Sequence, residues 1–268
     1  SMTPEQAAVL ADERSPAYMV GNFAVALAAG RIQPHLAEAF RTGDGVGWDE
    51  HDEDLSHAIA DAWRPQYEAH LVEHWLPALD GVVETLEAGG RVADVGCGLG
   101  ESTVIMAEAF PESAFVGIDP HEHSIAAARE RAAEAGVADR VDFEVATAKT
   151  YDGGGYDLVT TFDALHDMGD PVGAAAHVRE SLAADGTWMV VELVAGESVA
   201  ANLNPMGRTA YAISTLVCTP CAMNQEGERV LGAQAGEPGI RAAVTDGGFT
   251  RFRRVAETPL NMVFEARP

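Results

Sequence analysis

Short apolar runs and longer amphipathic stretches alternate through the middle of the chain. Apolar runs suited to buried strands fall at 91–96, 113–118, 140–145, 156–162 and 186–194. Between them, apolar positions at helical spacing mark helices near 101–110, 121–136 and 172–184. Strand and helix in strict alternation predict βαβ units and hence a parallel sheet, with Ala184-Asp-Gly186 as the turn before the fifth strand. Residues 4–88 carry helical patterns alone: 16–29, 34–41, and 55–79 with a break near Pro65, separated by a Gly- and acid-rich loop at 42–54. Residues 195–235 interrupt the alternation as an irregular or helical insert. A helix at 237–246 follows, then two strands, 250–255 and 261–265, joined so tightly around Thr258-Pro259 that they must be antiparallel. The expected architecture is α/β: a seven-stranded, mostly parallel sheet with an antiparallel C-terminal hairpin. Residues 1–88 form a helical lid and 89–268 the sheet domain, with 195–235 lying over its open edge.

The first strand ends in Gly96-Cys-Gly-Leu-Gly100, and the second ends in Asp119. In a Rossmann-like sheet this pair places a nucleotide across the loop and its ribose on the carboxylate, which offers two oxygens to a diol. The dinucleotide fingerprint G-x-G-x-x-G requires a glycine where this chain has Glu101. A carboxylate there disfavours a pyrophosphate but tolerates a cofactor carrying a sulfonium and an ammonium. Asp94, just before the loop, suits the ammonium equally well.

Asp94-Val-Gly-Cys-Gly-Leu-Gly100 resembles the first motif of the class I S-adenosylmethionine-dependent methyltransferases. Gly117-Ile-Asp119 is similar to their second-strand acidic motif, and Tyr156-Asp-Leu-Val-Thr-Thr-Phe-Asp-Ala-Leu-His-Asp167 to the fourth-strand motif that lines the methyl-transfer site. The resemblance covers about residues 91–194. It implies S-adenosylmethionine as cofactor, held by Asp94, Gly96, Cys97, Gly98, Gly100, Asp119, Pro120, Thr147, Ala148 and Asp163. Thr147 stands where many members place the Asp that binds the adenine amine. Residues 4–16 resemble the linker that follows a winged-helix domain in a group of bacterial methyltransferase-like proteins. Two origins stay open, an excised catalytic portion or a relative lacking that domain; Ser1 ahead of Met2 reads as a cloning remnant.

Composition narrows the partners. A formal charge of −25 over 268 residues repels phosphate backbones, so a nucleic-acid substrate is not expected. The cluster Arg251, Arg253 and Arg254 reads as a solvated strand face. No apolar run is long enough to span a membrane. Three cysteines without a signal peptide suit a reducing, cytoplasmic setting. Cys218-Thr-Pro-Cys221 has C-x-x-C spacing but lacks a second pair, and no metal is expected. Part of the N-terminal apolar surface suits a homodimer partner.

His166 and Glu192 are the candidates for catalysis. His166 follows the fourth strand at the ligand-binding edge and has a pKa range suited to proton removal. Glu192 is a carboxylate in an apolar strand, placed to orient an acceptor. Each also has a structural reading: a packed or capping histidine, and a buried hydrogen-bonded glutamate. Tyr18, Trp63 and Tyr67 are expected to cover the cofactor; His51, His57, His70 and His74 are expected at the surface. The favoured function is methyl transfer to a small-molecule acceptor whose accepting atom is unspecified. The alternative is a non-catalytic S-adenosylmethionine-binding regulatory module, with hydride transfer a distant third.

Overall fold

The computed structural model describes residues 1–227 and 229–268. Its centre is one seven-stranded sheet: β1 (Arg91–Val95), β2 (Ala114–Asp119), β3 (Val141–Val145), β4 (Tyr156–Phe162), β5 (Leu182–Leu193), β6 (Arg251–Glu257) and β7 (Asn261–Arg267). The order across the sheet is β3-β2-β1-β4-β5-β7-β6. β1 to β5 run parallel, while β7 lies antiparallel to both β5 and β6. This is the expected Rossmann-like sheet with its C-terminal hairpin. The chain order reverses between β1 and β4, so a crevice opens beyond their C-terminal ends.

Alternate residues of each inner strand face opposite cores. Val92, Leu158, Met189 and Val191 pack with Trp75, Met106 and Ile125 on one side. Ala93, Val159, Trp188 and Val190 pack with Val178, Ile240 and Val244 on the other. A strand buried on both faces has no polar side to expose, which is why the central strands read as continuous apolar runs.

Two sequence expectations fail here. The turn at Ala184-Asp-Gly186 lies inside β5, where pairing jumps from Tyr156–Leu182 to Leu158–Thr187. Gly186 lets the Tyr156 carbonyl come within 2.7 Å of where its Cβ would stand, so the glycine serves a close approach within the sheet. Nor does Pro65 break its helix, which runs unbroken as Asp54–His70. Pro65 is buried there, and the helix packs against Val20–Gly30, so tertiary contacts accompany the lost N–H bond. The irregularity comes later, in the wide turn Leu71–Trp75.

The segment 4–16, likened above to a linker, opens with a short helix, Pro4–Leu10; the helix expected from Pro16 starts at Val20 instead and packs on Asp54–His70. Gly21 makes this possible, since a Cβ would lie 2.7 Å from the Ala62 backbone nitrogen. Ala28, Ala29 and Leu55 from this region share a small core with Val217, Cys218, Cys221 and Ala233 from the 195–235 segment. Distant parts of the chain thus meet in one small core. Phe23 and Leu27 remain exposed on the outer side.

Candidate active site

Gly96, Cys97 and Gly98 form the floor of the crevice. The Gly96 and Cys97 N–H groups donate to the Ile118 carbonyl at 2.8 and 3.0 Å, binding the loop to β2. Gly98 has φ 52°, and nothing lies within 4 Å of where its Cβ would stand. Its N–H donates to Asp119 Oδ2 at 3.0 Å, while Asp119 Oδ1 accepts from the His121 N–H at 2.9 Å. Lone pairs remain on this carboxylate for a ligand. Gly100 faces away, and a Cβ there would crowd Ala128 and Phe143 at 3.0 to 3.2 Å. The Cys97 thiol is buried; burial, with Asp119 and Asp94 nearby, pushes its pKa well up.

Asp94 does not border the cavity. Its carboxylate is fully buried and accepts three hydroxyls: Ser102 at 2.7 Å, Thr103 at 2.6 Å and Thr160 at 2.9 Å. These bonds tie β1, β4 and the helix Glu101–Ala109 together beneath the loop. Burial raises its pKa, and the hydroxyl bonds oppose the rise. Glu101 sits on the cavity wall, with Arg131 at 2.7 Å and Arg64 at 3.2 Å. Pro120, Thr147 and Ala148 line the far side, where the Thr147 hydroxyl is 2.8 Å from that of Thr150.

The opposite wall holds the titratable groups. Asp163 directly follows β4 with φ 48°, a left-handed conformation that Asp tolerates better than most residues. Asn261 Nδ2 donates to both its oxygens at 3.2 Å. Burial, then the neighbouring Glu192, pushes the Asp163 pKa well above the carboxylate range. His166 follows on a tight turn and is buried. Its Nδ1 lies 2.5 Å from Glu192 Oε2, and its backbone N–H donates to Glu192 Oε1 at 3.2 Å. Burial alone would lower the His166 pKa; the carboxylates of Glu192 and Asp167 outweigh it and hold the value well above the histidine range. His166 borders the cavity, whereas Glu192 stands behind it on β5.

Tyr18, Trp63 and Tyr67 reach the same space from the N-terminal region. The cavity measures about 1370 Å³. That exceeds the roughly 300–1,000 Å³ typical of one drug-sized ligand and leaves room for a cofactor and a second molecule. Most of its wall is apolar; Leu193, Met206, Ile213 and Val217 come from the sheet edge and the insert. His51 is not at the surface as expected. The 42–54 loop folds onto the helix Thr219–Asn224, with the Val46 N–H on the Pro220 carbonyl, and buries His51 Nε2 3.4 Å from Cys221 Sγ. Asp167, Cys218 and Asn261 also join the site. The sequence marked Asp167 as the end of the fourth-strand motif and Cys218 only through its C-x-x-C spacing with Cys221, and nothing local marked Asn261.

A methyltransferase-domain family matches residues 93–188. The 27-O-demethylrifamycin SV methyltransferase of Amycolatopsis mediterranei is 33% identical over 147 residues, which cover 54% of this chain and 46% of that protein. These residues form a class I, S-adenosylmethionine-dependent methyltransferase domain. Solved structures show the same fold over a longer stretch. PigF, solved with SAH, has a TM-score of 0.69 at 17% identity, covering 100% of this chain and 78% of that one. Human N-acetylserotonin methyltransferase in complex with SAM has a TM-score of 0.61 at 18% identity, covering 99% and 74%. This chain therefore spans less than half of the rifamycin-type relative.

S-adenosylmethionine is the cofactor of such methyltransferase domains, and the residues of this one fit it. Gly98 leaves open space beside the backbone, and Asp119 presents a carboxylate to the same space. Glu101 is on the same wall, but Arg131 and Arg64 offset its charge, so the acid left to a cationic ligand is Asp119.

Proposed function

We propose that this protein methylates a hydroxyl oxygen of an apolar small-molecule acceptor. The observation that carries the proposal is the His166–Glu192 pair opening onto a cavity continuous with the Gly98–Asp119 cradle. S-adenosylmethionine, when bound, supplies an electrophilic methyl group on its sulfonium. The protein's share is to seat the acceptor oxygen in line with that methyl, to exclude water, and to take the acceptor's proton.

The proton goes to His166 Nε2. Glu192 holds the opposite nitrogen and stabilises the imidazolium that forms, so it acts through His166 as a positioning residue. Glu192 also strengthens the base, which makes the neutral, proton-accepting form the alkaline one. The lid residues Tyr18, Trp63 and Tyr67, with Met206 and Ile213 of the insert, enclose the acceptor in an apolar wall. Lys149 is the one lysine on this wall among the described residues, and it is paired to Asp170 at 3.1 Å, which favours an acceptor without negative charge. The net charge of −25 argues against a nucleic-acid partner. Free, buried cysteines fit a reducing compartment, and the exposed Phe23 and Leu27 fit a homodimer contact. No helix among the described residues is long and apolar enough to cross a membrane.

The test is S-adenosylhomocysteine release over a panel of apolar phenols, with wild-type protein and His166→Ala. Acceptor-dependent release is expected from the wild type. The variant should lose about 10²–10⁴-fold in turnover, the contribution of a positioned base. Release from the variant at the wild-type rate would remove His166 from the chemistry.

A further inference from the structure

Three different ligand atoms converge on the cavity wall beside the base. A ring nitrogen of His166, a carboxylate oxygen of Asp167 and Cys218 Sγ all lie within 4.8 Å of one another, and all three residues border the cavity. Nε2 and Oδ1 are 3.2 Å apart, an ion pair when the imidazole is protonated, and Asp167 Oδ1 is shielded from solvent. That separation suits two ligands of one ion: metal bonds of about 2.0–2.1 Å at a tetrahedral angle put N and O about 3.3 Å apart. Glu192 on Nδ1 reproduces the carboxylate–imidazole pairing that orients metal-binding histidines. A neutral imidazole, a carboxylate and a thiolate together balance a divalent charge. Their mixed N, O and S donors select a zinc-like ion over magnesium or calcium. Three protein ligands leave a fourth position open, and the cavity that all three residues border provides the way in. Cys221 takes no part, because its sulfur faces His51.

We propose that His166, Asp167 and Cys218 bind a zinc-class divalent cation, and that its occupancy stops methyl transfer. One nitrogen cannot hold a metal and accept a proton at once, so the cation and the acceptor's proton compete for Nε2. Only the inhibitory half rests on His166 being the base; binding itself does not.

Cobalt(II) titrated into the full chain, reduced and free of cofactor, tests the site directly. Tetrahedral visible absorption and a thiolate-to-cobalt band in the near ultraviolet are expected, both bleached by zinc(II). Cys218→Ser should abolish the thiolate band and Asp167→Asn should weaken binding, whereas Cys221→Ser should keep both features. Glu192→Gln should lower affinity by about ten-fold or more. Absence of a tetrahedral spectrum, or its full persistence in Cys218→Ser, would overturn the site. Zinc(II) should also suppress wild-type turnover on the phenol panel, reversibly with a chelator, and Cys218→Ser should resist it. A site that binds cobalt while zinc leaves turnover untouched would overturn the inhibitory role alone. The His166→Ala turnover test separates that outcome from a wrong assignment of the base.

Discussion

The two walls of the cavity are built in different ways. The cofactor wall is local: a loop of three glycines, the carboxylate ending the next strand, and one hydrogen bond between them from Gly98 to Asp119. The opposite wall is assembled from afar. His166 follows β4, Glu192 sits on β5, Asn261 begins β7, and Cys218 belongs to the insert. Backbone geometry makes the first wall, and converging side chains make the second. A ligand common to a whole family can be held by the first kind. A particular acceptor needs the second, where single side chains can change without disturbing the sheet.

If the walls are separable, they should fail separately. Asp119→Ala should weaken S-adenosylmethionine binding by about 2–3 kcal/mol, because a charged hydrogen bond to a diol is lost. His166→Ala should leave that affinity unchanged while turnover collapses. Calorimetric titration of both variants decides it, and equal losses of affinity would merge the two walls into one. A smaller effect is expected from Glu192→Gln. Removing the anion beside His166 should shift the rising limb of the pH–rate profile to lower pH and reduce the plateau rate. A purely structural glutamate would change stability without moving the limb.

The smallest effect lies far from the site and serves as a control. Burial works against it, but Arg254 and then Arg241 hold Glu237 below the usual carboxylate range. Its folded-state pKa is lowered, so its stabilisation is present at neutral pH and lost as pH falls through that lowered value. Glu237→Gln should flatten the acid side of the Tm-against-pH curve slightly and leave turnover at neutral pH alone.

This contrast also sets what the sequence could disclose. Strand positions were legible within a few residues at most ends because buried parallel strands leave continuous apolar runs. The Gly96–Gly100 loop was legible because glycine is required where φ is positive and a ligand comes close. Asp94 was legible as important but not in its placement: three hydroxyls from two other elements occupy its carboxylate. Pro65 misled because helix propensity is a local quantity and tertiary packing overrode it. His51 gave no local signal, and the C-x-x-C spacing of Cys218 pointed to Cys221 rather than to His166 and Asp167, since their surroundings come from contacts between the 42–54 loop, the insert and the β4 turn.

The local wall and a cover drawn from the N-terminal region and the 195–235 insert line one cavity. Hydrogen exchange with and without S-adenosylmethionine tests it most directly. Protection should rise at 96–100 and at the end of β2, and also in the Asp54–His70 helix and the Pro205–Ile213 helix of the insert. Protection confined to the glycine loop and β2, with both lid segments unchanged, would contradict it.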